Sequence, residues 1–429
     1  MGSQFLRMPQ SSTHKKHHSF FVRQRLIVDA GIKYYQSIMA NTNLGNAKQA
    51  KNDEFYTQFT DISNEMLCYT DYNPDVFRDK TILLPCDDPE WSAFTKFFVL
   101  KFNALGLKKL ISTSYAPDSK KYKMIYEPTL FEKNAPQYDA DKSRSHGKIF
   151  ILDRDECGDR KISINDIRWQ YLDGDGDFKS SEVTALRDES DFIITNPPFS
   201  LLREFINWIM AGKKKFIIVG TMNAISYKDV FPLLMGNKIW LGGGFENGNA
   251  YFCVPDQAHD YADGVYDEET GMVKFRNCCW YTNVELGKRH TPSSLMTVAR
   301  NLKYSHHSEL KGRSEYQRYD NYDAIEVPFV DAIPSDYKGI MGVPISFFDK
   351  YCPEQFVVVG ITKTWFDGYK TKVYPEQIQV DKHGKRKKVS KLNDGAALLL
   401  DAPLNGETYY EVGGKLYEQK YARILIRKR

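Results

Sequence analysis

From about residue 80 onward, short runs rich in β-branched residues alternate with amphipathic stretches. This alternation is typical of an α/β fold, in which a doubly wound sheet carries helices on both faces. Strands are predicted at residues 81–85, 108–113, 168–172, 191–195 and 214–220. The runs 191–195 and 214–220 read as buried strands, so we expect them near the centre of the sheet.

Apolar residues recur at helical spacing in two stretches between these strands, and each stretch predicts a helix with one buried face. The first comprises Trp91, Phe94, Phe98, Phe102 and Leu105. The second comprises Leu201, Leu202, Phe205, Ile206, Ile209 and Met210, and ends at Gly212. The segments 237–241 and 250–254 are predicted as edge or antiparallel strands.

The pattern changes on either side of this region. Residues 1–50 are polar and basic, and beyond about residue 260 the periodicity becomes irregular, with many Gly, Pro and Tyr residues. We therefore expect a flexible basic extension over residues 1–50, an α/β catalytic domain over residues 51–260 and a loop-rich region over residues 261–429.

The net charge of +4 does not describe the body of the chain. Residues 1–38 hold six of the 59 Lys and Arg residues and one of the 55 Asp and Glu residues, so the remainder is close to neutral. Nucleic-acid binding would therefore need a local basic face. The most basic segment contains Lys385, Arg386, Lys387 and Lys388, which is either a phosphate-contacting loop or a solvated hairpin tip.

Several protein classes are disfavoured by the sequence. No stretch approaches the roughly 18 to 20 apolar residues of a membrane span, and the start of the chain lacks the apolar core of a signal peptide. The seven cysteines are scattered, and the adjacent pair Cys278 and Cys279 lacks C-x-x-C spacing. We expect a reduced, cytoplasmic protein without a membrane anchor.

The stretch Asn196-Pro197-Pro198-Phe199 directly follows a predicted central strand. This carboxyl edge is where open α/β sheets bind ligands. The prolines stiffen the backbone and remove two N–H donors, so the Asn196 side-chain oxygen and the Pro197 carbonyl can accept both hydrogens of one planar amino group. Phe199 offers a face for stacking. The stretch predicts a site that activates an exocyclic amine; a plain turn is the alternative.

An electrophile beside such an amine needs its own binding residues, and the loop after the first strand supplies candidates. It contains Cys86, Asp87, Asp88 and Pro89. The two acids suit ribose hydroxyls or a cationic group, and Pro89 suits the first turn of a helix. Helix capping is the alternative role of these acids.

Two further stretches are candidates for the same purpose. In residues 173–178 (DGDGDF) the glycines suit a tight turn, Asp177 an amino group and Phe178 stacking on an adenine ring. A calcium loop is disfavoured, because its sixth and twelfth positions would be Phe178 and Thr184. Phe55, Tyr56 and Thr57 lie upstream of the α/β pattern, where a surface strand or helix cap is the alternative. The glycines of 241–248 predict a flexible connection.

In this order, the motifs resemble those of the adenine-N6 DNA methyltransferases that use S-adenosylmethionine, and among them the EcoRI-type modification methylases. The resemblance runs from about Met39 to the C-terminus and includes DEFYTQ, CDDP, LGLKKLI, NPPF, NKIWLG and YDNYDAI. Residues 1–38 have no counterpart, so Met39 is an alternative native start. The segment from about 362 to 420 is longer than the family pattern.

The resemblance implies a Rossmann-like methyltransferase sheet with an appended target-recognition region. It implies that residues 196–199 form the catalytic loop, with Asn196 also near the cofactor, and that the other three stretches surround S-adenosylmethionine. It further implies a monomer without a metal, acting by base flipping on double-stranded DNA at a GAATTC-like site and paired in function with a restriction endonuclease. Methylation of an RNA base or a glutamine amide is the alternative; a catalytically silent DNA-binding protein is a second.

Overall fold

The computed structural model describes residues 56–119, 130–154, 162–245, 248–253, 265–267 and 269–429. The predicted extension over residues 1–50 and the candidate Phe55 lie outside these ranges. Seven α-helices occur within them: α1 Phe59–Tyr72, α2 Ala93–Leu105, α3 Leu130–Lys133, α4 Ser181–Glu189, α5 Leu202–Ala211, α6 Phe231–Met235 and α7 Val298–Tyr304. None of these helices is long and apolar enough to cross a bilayer.

The main sheet has eight strands in the order β5-β4-β3-β2-β6-β7-β12-β8. Their bounds are β2 Thr81–Leu84, β3 Lys109–Thr113, β4 Lys148–Asp153, β5 Trp169–Tyr171, β6 Phe192–Thr195, β7 Lys215–Thr221, β8 Trp240–Leu241 and β12 Cys278–Thr282. The four central strands, β3, β2, β6 and β7, are parallel. The outer strands pair antiparallel, so the sheet is mixed.

All five predicted strands are present, but two members of the sheet were missed. β4 contains the apolar run of residues 149–152, which the prediction passed over, and its side chains alternate between buried and less buried positions. β12 lies beyond residue 260 yet pairs with β7, so the main sheet takes in residues from the region expected to be loop-rich. The three-part division of the chain stays a prediction.

The central strands bury both of their faces, in agreement with their apolar runs. Leu83 belongs to one hydrophobic core, whereas Ile82 and Leu84 belong to a second. The buried residues of α5 lie in the first core and those of α2 in the second, so helices cover both faces of the sheet.

The start of α2 differs from the prediction. The Ser92 hydroxyl accepts hydrogen bonds from the N–H groups of Phe94 and Thr95, so the helix begins at Ala93. Trp91 therefore lies outside the helix and is 53% exposed, although the periodicity placed it on the buried face. Pro89 lies in the preceding turn rather than in the first turn of the helix. Local capping decided this boundary, because the periodic pattern alone does not mark the N-cap.

The remaining strands form three smaller sheets. Their orders are β1-β9-β11-β10, β13-β14-β21-β15 and β17-β16-β19-β20-β18. Their bounds are β1 Tyr56–Thr57, β9 Asn249–Cys253, β10 Tyr266–Asp267, β11 Met272–Arg276, β13 Ile325–Glu326, β14 Met341–Pro344, β15 Phe356–Ile361, β16 Gln377–Val380, β17 Arg386–Val389, β18 Ala396–Leu400, β19 Tyr409–Val412, β20 Lys415–Lys420 and β21 Arg423–Lys428. The region beyond residue 260 is therefore richer in strands than its irregular pattern predicted.

Candidate active site

Two of the predicted loops meet at the carboxyl edge of the main sheet. β2 and β6 are parallel neighbours, so the loop that contains Asp87 and the loop that begins at Asn196 leave the sheet side by side. The Asp87 carboxylate accepts a hydrogen bond from the Thr195 hydroxyl at 2.6 Å through one oxygen. Its other oxygen accepts one from the Ser92 hydroxyl, also at 2.6 Å. One buried carboxylate therefore joins both loops to the start of α2.

The Asp87 side chain is buried in the interior of the protein. Burial raises its pKa to about 7, although its two hydroxyl partners lower it. Its backbone N–H donates to the Thr113 carbonyl at 2.9 Å. Burial also raises the pKa of the neighbouring Cys86 thiol, and the charge of Asp87 raises it further. Both Asp87 oxygens thus have partners within the chain, and direct contact with a cofactor ribose stays a prediction.

Asp88 and Pro89 shape the turn that follows. The Asp88 carboxylate accepts hydrogen bonds from the N–H groups of Glu90 at 2.9 Å and Trp91 at 3.3 Å. Pro89 is buried. These contacts agree in part with the helix-capping alternative. Asp88 binds N–H groups in the turn ahead of α2, and Asp87 binds the hydroxyl of Ser92, the N-cap residue of α2.

The Asn196–Phe199 loop is compact. The Asn196 residue is half-buried with an inaccessible amide oxygen, and Pro197 is buried. The Pro198 carbonyl accepts the Leu201 N–H at 2.9 Å, which starts a short 3-10 turn ahead of α5. Phe199 is 5% exposed. A base that stacks on Phe199 must therefore enter the protein rather than rest on its surface.

The Phe199 ring is enclosed by the small sheet that contains β1. Its centroid lies 6.2 Å from that of Phe252 and 6.4 Å from that of Phe275, and both pairs meet edge to face. Thr57 and Tyr56 pair with Phe252 and Cys253 in this sheet. The upstream stretch that fell outside the α/β pattern is thus brought beside the catalytic loop by a strand pairing.

Thr57 is a candidate ligand contact. It is 4% exposed, and its hydroxyl oxygen is buried without a hydrogen-bond partner among the described residues. A buried hydroxyl without a partner is costly, so such groups deserve a functional explanation. This observation favours a ligand-binding role over a plain surface strand.

The 173–178 loop reaches the same edge beside β3. Gly176 has φ +79°, and a Cβ atom there would lie 2.1 Å from the Ser114 carbonyl oxygen. Only glycine permits this close approach of the two backbones. The Ala116 N–H donates to the Asp175 carbonyl at 2.7 Å, which fixes the loop.

The two candidate side chains of this loop differ in their surroundings. Asp177 is half-buried, and one of its oxygens accepts the Lys179 N–H at 2.9 Å. Phe178 is 5% exposed and packs edge to face on Phe205 at 5.0 Å and on Trp208 at 5.5 Å. The structure therefore places Phe178 in the core against α5, and its stacking on an adenine ring stays a prediction.

Lys148 is a residue at this edge that the sequence did not single out. It is 5% exposed, and its Nζ lies 2.7 Å from Glu90, 3.2 Å from Glu132 and 3.9 Å from Asp88. Burial lowers the pKa of Lys148, but the three carboxylates outweigh burial and raise it overall. Its strand was not predicted, although the apolar run of residues 149–152 could have indicated it; the place of that strand beside the 85–90 loop follows only from the fold.

The candidate DNA-binding residues lie on a hairpin formed by β16 and β17. Lys385, Arg386, Lys387 and Lys388 are all exposed. The Arg386 guanidinium pairs with Glu411, and Lys388 lies 3.0 Å from Glu376. Within the described ranges, Lys385 and Lys387 have no ion-pair partner. The hairpin form is confirmed, and phosphate contact stays a prediction.

One cluster of side chains in the described ranges has the spacing of metal ligands. His306, His307 and Asp331 bring their ligand atoms within 4.8 Å of one another. His307 lies 2.9 Å from Asp331 and stacks on Phe329. The cluster is away from the candidate catalytic loop in sequence, and ion pairing between imidazole and carboxylate accounts for its geometry.

Comparison with known proteins identifies the family. The model of the EcoRI adenine-specific methyltransferases matches residues 43–429. The chain belongs to this family. It is 38% identical over 325 residues to the type II methyltransferase M.EcoRI of Escherichia coli, a match that covers 75% of this chain and 90% of that relative. The resemblance inferred from the motifs is therefore confirmed.

Two type II methyltransferases of mycoplasmas are also similar to the chain. M.MpnI of Mycoplasma pneumoniae is 31% identical over 317 residues, covering 73% of this chain and 83% of the relative. M.MgeORF184P of Mycoplasma genitalium is 32% identical over 316 residues, covering 73% and 84%. No solved structure matches the chain. The protein is a DNA adenine methyltransferase, as its motifs predicted.

Proposed function

We propose that this enzyme transfers a methyl group from S-adenosylmethionine to the N6 amine of an adenine flipped out of double-stranded DNA. The observation that carries the proposal is the convergence of four sequence stretches at one sheet edge. Parallel pairing of β2 and β6, the Asp87–Thr195 hydrogen bond and the β1–β9 pairing bring two of them, residues 86–89 and 56–57, to a third, the Asn196 loop. The fourth, residues 173–178, packs on the end of β3, the neighbour of β2.

The residues at this edge suit S-adenosylmethionine. Thr57 supplies a buried hydroxyl without a partner among the described residues, and Asp177 supplies a half-buried carboxylate. Asp88 adds negative charge, which favours a cationic ligand. When bound, the cofactor supplies an electrophilic methyl group on a sulfonium. We propose that Phe55, Tyr56, Thr57, Cys86–Pro89, Asp177 and Phe178 surround it, within a Rossmann-like sheet.

The catalytic loop acts on the adenine. The Asn196 side-chain oxygen and the Pro197 carbonyl accept the two hydrogens of the N6 amine, which keeps its lone pair available for attack on the methyl carbon. Phe199 stacks on the flipped base. Its own ring is held edge to face by those of Phe252 and Phe275, which we call the aromatic wall. Flipping costs roughly a few kcal/mol, which contacts to the extruded base and its partner strand must offset. Alignment of the two reactants supplies much of the acceleration.

Target recognition is proposed for residues 261–429, with Lys385 and Lys387 of the β16–β17 hairpin as phosphate contacts and a GAATTC-like site as target. The relatives are named type II methyltransferases, which supports functional pairing with a restriction endonuclease without a stable complex. We propose a monomer in a reducing cytoplasm; the six cysteines in the described ranges are all free.

Methylation-sensitive sequencing of DNA from cells that express the protein tests this proposal. We expect N6-methyladenine at one short recurring sequence, and none in cells that express Asn196→Ala at an equal level. Purified enzyme with S-adenosylmethionine labelled in its methyl group should label double-stranded DNA carrying that sequence. Label confined to RNA or to protein glutamine would overturn the proposal, as would labelling of DNA cytosine.

A further inference from the structure

Glu65 is a buried acid that the proposed chemistry does not use. It lies on the inner face of α1 and is 0% exposed. Its Oε1 accepts hydrogen bonds from the Tyr69 hydroxyl at 2.7 Å and from the Gly243 N–H at 3.0 Å. Its Oε2 accepts one from the Gly244 N–H at 3.1 Å. Burial raises the pKa of Glu65 to about 7, against the effect of these partners.

Two of the positions around this carboxylate require glycine, because neighbouring side-chain atoms leave no space there for a Cβ atom. A Cβ atom on Gly242 would lie 2.0 Å from Glu65 Oε1, and one on Gly243 would lie 2.5 Å from the Cys68 sulfur. Gly244 has φ +99°, which L side chains rarely adopt. The Lys288 ammonium donates to the Gly243 carbonyl at 2.8 Å. The prediction of a flexible connection is therefore wrong for residues 242–244, because Glu65 binds two of their N–H groups and Lys288 binds two of their carbonyl groups.

The residue after the 242–244 segment contacts the aromatic wall formed by Phe252 and Phe275. Phe245, the next residue, stacks on Trp280 with ring centroids 5.5 Å apart. Phe245 also contacts Phe252 of β9, with ring centroids 6.3 Å apart, and Phe252 pairs with Thr57 and meets the Phe199 ring edge to face. The unit made of β1 and α1 thus contacts residues 243–244 through Glu65 and β9 by a strand pairing.

We infer that Glu65 is a positioning residue for methyl transfer: by binding Gly243 and Gly244 it fixes the adjacent Phe245, and through the contact of Phe245 with Phe252 it fixes the aromatic rings around Phe199. A carboxylate suits this task because its two oxygens accept from two consecutive N–H groups and a hydroxyl at once. A glutamine keeps one oxygen and turns an N–H donor toward a backbone N–H. The inference rests on the proposed catalytic role of residues 196–199.

The test compares Glu65→Gln and Glu65→Ala with Asp191→Asn. Asp191 is the control, since its carboxylate also accepts a hydrogen bond from a distant backbone N–H group, that of Thr81 at 2.9 Å, but at the amino ends of β2 and β6, away from the candidate site. Single-turnover methylation is measured at saturating S-adenosylmethionine and cognate DNA, together with the Kd of each ligand and the Tm. We expect both Glu65 variants to lose roughly 10- to 100-fold in rate, alanine more than glutamine, with both Kd values within about threefold.

The control separates positioning from general stability. Asp191→Asn should lower the Tm and keep the wild-type rate. A folded Glu65→Gln protein with the wild-type rate overturns the inference, as does an equal rate loss in Asp191→Asn. Asn196→Ala is run in parallel: if it alone is inactive, only the Glu65 inference fails, whereas full activity in Asn196→Ala shows that the proposed function of the loop is wrong.

Discussion

The Thr195 hydroxyl donates a 2.6 Å hydrogen bond to the Asp87 carboxylate, although the two residues are 108 positions apart in the sequence. Asp87 lies in the loop that follows one central strand, and Thr195 is the last residue of the neighbouring strand, directly ahead of Asn196. Both residues are buried. The bond therefore links the loop after β2 to the start of the Asn196–Phe199 loop.

Removing this bond should reduce methylation more than a comparable change elsewhere. Thr195→Val deletes the hydroxyl and leaves one oxygen of a buried carboxylate without its donor, which costs about 1–3 kcal/mol in the free energy of unfolding. Thr282→Val is the matched control, because Thr282 is equally buried and donates to the Phe216 carbonyl at 2.8 Å. We expect similar destabilisation in both by urea titration, and a larger loss of single-turnover rate in Thr195→Val. Equal rates would show that the bond does not organise the site.

The raised pKa of Asp87 makes the stability of the protein depend on pH. Because the native carboxyl holds its proton up to about pH 7, whereas the unfolded one releases it near pH 4, the contribution of Asp87 is greatest below pH 4 and is lost as the pH rises to 7. The loss is on the order of a few kcal/mol. Asp87→Asn does not titrate, so the stability of wild type relative to this variant should fall between pH 5 and pH 8. A difference that is constant over this range would contradict the assignment.

Asn196→Ala and Phe199→Ala should separate chemistry from base flipping. Asn196→Ala removes one acceptor for the amine, which typically costs on the order of 10² to 10³ in rate, while S-adenosylmethionine affinity stays within a few-fold. Phe199→Ala removes stacking worth roughly 1 to 3 kcal/mol. With 2-aminopurine at the target position, fluorescence on binding should persist in Asn196→Ala and weaken in Phe199→Ala. Wild-type methylation by Asn196→Ala would exclude the proposed mechanism.

The basic hairpin offers a test with an internal control. Lys385 and Lys387 have no ion-pair partner in the described part of the chain, whereas Arg386 and Lys388 pair with Glu411 and Glu376. Replacing Lys385 and Lys387 together by Ser should weaken binding to all DNA sequences. The slope of log K against log salt should become shallower by about 2, the value expected for the loss of two phosphate contacts. The same change at Arg386 and Lys388 should alter the slope less. Unchanged slopes in both would make the hairpin a solvated tip.

Much of this protein follows from its sequence alone. The apolar runs of β2, β6 and β7 have no polar face to expose, so they determine a buried parallel sheet. The position of Asn196 after such a strand determines that the Asn196–Phe199 loop lies at the carboxyl edge. The motifs determine the family, because their residue types and spacing can be read from the sequence without knowledge of the fold.

Tertiary structure decided the features that depend on distant partners. β4 and β12 both contain apolar residues, but their places beside β3 and β7 depend on antiparallel pairing with those strands, which neither segment specifies by itself. The pairing of Thr57 with Phe252 brings an upstream stretch to Phe199, and no local pattern encodes that contact. The glycines at 242–244 indicated freedom in sequence, yet the buried Glu65 carboxylate turned the same absence of side chains into close contact. A glycine permits both outcomes, and only the packed neighbour decides between them.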